Sequence, residues 1–133
     1  MDEARFWQIV GEGGPAADER AAFATQWQRH LDLANTRPLR DAATLLLGWP
    51  NDAEFLDFRR WLITRGRDTY LAALREPDTL ADATVTPSGV DAGELEAGWV
   101  DGEPTGEWTN LGDRHALRAA FPGLAARYEG GCR

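Results

Sequence analysis

Apolar residues over the first 76 positions of this chain recur every three or four residues, and nowhere do they alternate in twos with β-branched enrichment. That spacing gives each segment one apolar stripe, which only packing against other helices can bury. Asp2 is placed to cap a short first helix carrying Phe6, Trp7, Ile9 and Val10, stopped by Gly11-Glu12-Gly13-Gly14. Pro15 suits the entry to a second helix, on which Phe23, Trp27, Leu31 and Ala34 form one stripe. Thr36 and Pro38 read as the start of a third helix with Leu39, Ala42, Ala43, Leu46 and Leu47, ending at Gly48. Trp49-Pro50-Asn51 is a turn, and Asp52 is expected to cap a fourth helix over about 53–65. Gly66 separates it from a fifth, expected to bury Tyr70, Leu71 and Leu74 and to end at Pro77.

From about 79 to 112 glycines arrive every four to six residues, with Pro87 and Pro104 among them, so a long loop is expected, holding one brief helix over Asp91–Trp99. Asp113 then caps a short helix, Phe121-Pro122 turns the chain into a last helical turn with Leu124, Ala125 and Tyr128, and 129–133 is expected to be a disordered tail. The expected architecture is one all-α domain over residues 1–128: a compact bundle of five to six helices with a long acidic, glycine-rich loop before the C-terminal helix.

Charge narrows the functional classes. All 14 basic residues are arginine, against 22 acids, for a net charge of −8. Between Arg75 and Arg114 lie ten acids and no base, so the rest of the chain carries a net +2. Such a segment repels phosphate backbones, which argues against nucleic-acid binding, and suits a basic protein partner. Trp99 and Trp108 lie in this segment beside Glu94, Glu96, Asp101, Glu103 and Glu107; at least one of the two indoles is expected to fold back on the bundle. No apolar run is long enough to span a membrane, and the Met-Asp-Glu start lacks the features of a signal peptide, so a cytoplasmic location is expected.

Catalytic templates find no purchase. The only serine, Ser88, has no Gly-x-Ser-x-Gly context, and the only cysteine, Cys132, is penultimate. With two histidines and one cysteine there is no zinc pattern, and no cofactor motif is present. Two polar residues break the helical pattern: Arg59 falls inside the apolar arc of the fourth helix and His30 beside the stripe of the second. Two readings stay open. In one, Arg59, His30 and Trp27 line a pocket between helices that takes a small anionic ligand. In the other, Arg59 runs along its apolar neighbours or ties down a helix end, and His30 is a satisfied core residue.

The stretch from Asp57-Phe58-Arg59-Arg60-Trp61-Leu62 through Arg65-Gly66-Arg67-Asp68-Thr69-Tyr70 to Pro77-Asp78-Thr79-Leu80-Ala81-Asp82 resembles domain-of-unknown-function family 4240, small proteins common in actinobacteria. Phe6-Trp7 and Phe121-Pro122-x-Leu124 fit the same pattern, whereas 84–112 departs from it. The resemblance implies a helical domain and supplies no activity. The expected function is therefore a non-catalytic interaction or regulatory module, immunity-like in form, acting through its acidic, tryptophan-bearing segment. The alternatives are a small-ligand binder or enzyme built on the Arg59/His30 pocket, and a carrier modified at its C-terminal Gly-Gly-Cys-Arg.

Overall fold

Polar residues at the helix boundaries decide where each segment begins and ends. The computed structural model describes the backbone of residues 1–82 and 103–131, with side chains in the last helix as far as residue 126. Among the described residues seven α-helices and two 3₁₀ turns follow one another, and no strand forms beyond one isolated bridge. Helix α1 (Glu3–Glu12) starts where Asp2 accepts the Arg5 N–H at 2.7 Å and stops at Gly13, which takes the left-handed conformation glycine allows. A 3₁₀ turn (Ala17–Glu19) precedes α2 (Arg20–Leu33), and the Arg5 guanidinium grips Glu19 through two bonds of 2.8 and 2.6 Å. Thr36 caps α3 (Arg37–Leu47), with Pro38 in the first turn.

The cap of α4 (Asp52–Thr64) corrects one expectation. Asn51, not Asp52, is the N-cap: its side chain accepts the Glu54 N–H at 2.8 Å, and Glu54 accepts the Asn51 N–H at 3.3 Å. A glutamate three residues on selects Asn51 through this reciprocal pair, and Asp52 instead pairs with Arg40 at 2.8 Å. Helix α5 (Arg67–Arg75) buries Tyr70 and Ala73; Leu71, one residue around the helix, is 40% exposed rather than buried.

Residues 79–82, expected to open the long loop, belong instead to a second 3₁₀ turn (Pro77–Asp82) that buries Leu80. The segment from Glu103 carries the isolated bridge at Thr105. The expected helix over Asp91–Trp99 lies outside the described residues. Helix α6 (Arg114–Ala120) is capped by Asp113, as its spacing suggests. Helix α7 (Pro122–Gly131) continues through Glu129, Gly130 and Gly131, where a disordered tail was expected. Glycine weakens a helix by about 1 kcal/mol but leaves its hydrogen-bond ladder intact. Cys132 and Arg133 lie outside the described residues.

One core runs through the bundle, from Phe6 and Phe23 past Trp27 and Leu31 to Phe55, Phe58, Leu62 and Tyr70. Helix α7 lies against the second 3₁₀ turn and α3. There Asp78 supplies the amino end of α7 with its acceptors: the Gly123 and Leu124 N–H groups donate to its two oxygens, each at 2.8 Å. Gly123 sits so close that an added Cβ would lie 2.9 Å from Asp78 Oδ2 and 3.0 Å from the Ala81 Cβ.

Asp78→Ala and Gly123→Ala should therefore each lower stability by about 1–2 kcal/mol in urea unfolding. Because they break one contact, the double variant should lose less than the sum of the two.

Candidate functional site

The two residues that stand out in the helical pattern face different neighbours. His30, 3% exposed, lies parallel to the Phe6 ring at 4.3 Å with Trp7 and Tyr70 beside it. Its Nδ1 is 2.6 Å from the Gln26 carbonyl and its Nε2 is 3.2 Å from Glu3 Oε2, so it joins α1 to α2. Arg59 is fully buried: Nη1 donates to the Leu31 carbonyl at 2.8 Å, and the guanidinium lies 4.7 Å from the Phe55 ring centre. The Tyr70 hydroxyl donates to the His30 carbonyl at 2.8 Å, and burial, with the charge of Glu3 adding to it, pushes that phenol above its usual range. Two buried donors thus meet carbonyls in the last turn of α2: Leu31 takes Arg59, and His30, which already accepts the Ala34 N–H at 3.1 Å, takes Tyr70 as a second donor, at a helix end where the dipole favours a cation. Trp27, grouped with them by sequence, is a core residue beside Phe23.

A different place on the molecule is open. A cleft of about 710 Å³ runs between α3 and the extended segment beginning at Glu103. Arg37, Asp41 and Thr44 form one helical face of α3 along its floor, Trp49 and Pro50 stand at one end, and Glu103, Pro104 and Trp108–Gly112 make the far wall.

The far wall is fastened mainly by backbone. Thr36 and Thr105 form a parallel bridge, in which the Arg37 N–H donates to the Thr105 carbonyl at 2.6 Å and the Thr105 N–H to the Asn35 carbonyl at 3.0 Å. Gly106 has a φ of 87°, and a Cβ there would sit 3.1 Å from Pro38 Cδ, so the segment turns where glycine alone fits well. The Arg37 guanidinium donates to the Gly106 carbonyl at 2.7 Å and lies 5.6 Å from the Trp108 ring centre. Further along, the Thr109 N–H donates to Asp41 Oδ2 at 2.7 Å.

Asp41 is 4% exposed, and no cation pairs with it among the described residues. Burial raises its pKa above the ordinary carboxylate range, with the Thr109 hydrogen bond pulling the other way. Arg40, its neighbour in sequence, is committed to Asp52 at 2.8 Å and to the Pro50 carbonyl at 3.1 Å.

Two large indoles stand open at this cleft, Trp49 at 82% exposure and Trp108 at 54%. Trp49 also holds a φ of 38°, a left-handed conformation that costs a non-glycine residue about 1 kcal/mol or more. Of the residues singled out by sequence, Trp108 and Glu103 line this cleft, and Glu107 is exposed on the same segment. Trp99, Glu94, Glu96 and Asp101 lie outside the described residues.

Sequence reasoning missed Trp49, which reads as a turn residue, and Asp41, which falls opposite the apolar stripe of α3. The nearest signal for Trp49 is an indole between a glycine and a proline, in a turn that gives it nothing to pack on. Among the described residues no group of three or more His, Cys, Asp or Glu side chains could hold a metal, and no helix is long and apolar enough to cross a membrane.

Residues 14–103 match the model of a family described as "Protein of unknown function (DUF4240)". The match covers more than half of the chain, and the chain belongs to that family. It spans α2 to α5 and ends at the first described residue of the cleft's far wall, leaving out both Phe6-Trp7 and Phe121-Pro122. No curated protein and no solved structure matches the chain.

Arg59→Met should strand a buried carbonyl and lower stability by about 1–3 kcal/mol in thermal or urea unfolding. Asp41→Asn should act in the opposite direction at neutral pH. A carboxyl whose folded pKa is raised disfavours folding once ionised, so the wild type loses stability as pH rises from about 4 through the raised value. Asn keeps an acceptor for Thr109 without the charge. The melting temperatures of the two proteins should agree near pH 3 and separate in favour of Asp41→Asn toward pH 7.

Proposed function

We propose that this protein is a non-catalytic binding module whose partner is a basic protein, received at the cleft between α3 and the segment beginning at Glu103. The single observation that carries the reading is the pair of exposed indoles, Trp49 and Trp108, that line that cleft. Large aromatic side chains left open to water are what hot spots in protein interfaces are made of, and one of these two is also held in a strained backbone conformation. The sign of the partner follows from charge. The wall bearing Trp108 carries Glu103 and Glu107, in a stretch of sequence with ten acids and no base, and of the two arginines at the cleft Arg40 is paired with Asp52. Acidic side chains on such a wall speed association with a basic protein and make it sensitive to salt. An inhibitor or regulator of a basic enzyme, immunity-like in form, fits this chemistry.

Affinity capture from the organism of origin at low ionic strength checks the reading. The wild-type chain should retain a basic protein that elutes as salt is raised, and a variant carrying Trp49→Ala and Trp108→Ala should not retain it. Equal capture by both chains, or capture of no basic protein, would overturn it.

A further inference from the structure

The basic-partner reading does not say which group enters the cleft, and Asp41 narrows the choice. In a chain whose bases are all arginine, this carboxyl is almost wholly withdrawn from water and pairs with no arginine among the described residues. Arg37 and Arg40 flank it on the same helix: Arg40 is bonded to Asp52 and the Pro50 carbonyl, and Arg37 to the Gly106 carbonyl, which holds its guanidinium against the far wall with its charge kept. Arg37 Nε is sealed from solvent and has no acceptor among the described residues.

Of the two Asp41 oxygens, Oδ2 takes the Thr109 N–H, and the other has no donor among the described residues. A buried carboxylate without a counterion is costly, and a cation supplied from outside would offset that cost. Glu103 on the facing wall adds a second negative charge. The indoles complete the arrangement, because a planar guanidinium stacks on an indole face while its edge donates two parallel hydrogen bonds to a carboxylate. Arg37 already lies against the Trp108 ring, so this surface accepts guanidinium stacking within the protein itself.

Resting on that reading, we infer that the cleft is a recognition site for an arginine side chain of the partner, with Asp41 as its anionic floor and Trp49 and Trp108 as its aromatic walls. Bound arginine turns an unpaired buried carboxylate into a paired one, so Asp41 opposes folding of the free protein and favours the complex.

Isothermal titration calorimetry of the full chain at low salt tests this with a synthetic peptide alternating arginine and serine. A second peptide of the same length, with citrulline for arginine, keeps the shape and removes the charge. The arginine peptide should bind about tenfold or more tightly than the citrulline peptide. Asp41→Asn should abolish that preference while melting no lower than the wild type at pH 7. Trp49→Ala, which leaves the Asp41–Thr109 bond untouched, should weaken the arginine peptide and carries the test if Asp41→Asn proves poorly folded.

Equal binding of the two peptides to the wild type, or an arginine preference that survives in well-folded Asp41→Asn, would overturn the inference. A basic protein captured as well by Asp41→Asn as by the wild type, and lost from the double tryptophan variant, would overturn it while leaving the basic-partner reading in place. Failure to bind either peptide or any basic protein would remove both.

Discussion

The carboxyl end of α2 is the point on which the rest of the structure depends. The last turn of a helix that ends against a core presents carbonyl lone pairs that water cannot reach. Arg59 from α4 and Tyr70 from α5 supply donors to the carbonyls of Leu31 and His30. A side chain from each of two later helices is thereby committed to one end of an earlier one. Because α2 ends cleanly, the chain can turn through Asn35 and start α3 on the Thr36 cap. The same turn presents the Asn35 carbonyl and the Arg37 N–H to Thr105. The cleft and its far wall are built outward from a capped helix end.

Two aspartates show how one residue type serves stability at one place and leaves stability unused at another. Asp78 gives both oxygens to the amino end of α7, so its charge meets a helix dipole and two N–H donors. Asp41 gives one oxygen to Thr109 and meets no cation among the described residues, and burial raises its pKa against the pull of that one bond. Trp49 is a second residue held at a cost, exposed to water and in a left-handed backbone. In proteins generally, local arrangements that oppose folding cluster at binding and active sites. Here both line one cleft.

The helices were legible because their signals are local. Apolar spacing depends on a few residues, and caps such as Asp2, Thr36 and Asp113 act within one turn. The exception, Asn51 over Asp52, turns on the reciprocal bond from Glu54, itself a local signal. Arg59 and His30 were recognisable as out of place by their angular position alone. Which role Arg59 had was not, since its acceptor lies 28 residues earlier.

The site followed a different logic. Composition singles out Trp108 and Glu103, which line the cleft, whereas Asp41 sits on the face of α3 that its own helix marks as polar. It is buried because a segment 68 residues further along lies across it, and no periodicity within α3 records that event. The amino-acid sequence by itself determined the all-α class, the caps at Asp2, Thr36 and Asp113 and the sign of the charged segment, for these arise from interactions between near neighbours along the chain. Tertiary structure alone decided which carboxyl lost its water, which indoles stayed exposed and what Arg59 holds, because each depends on residues that only folding brings within reach.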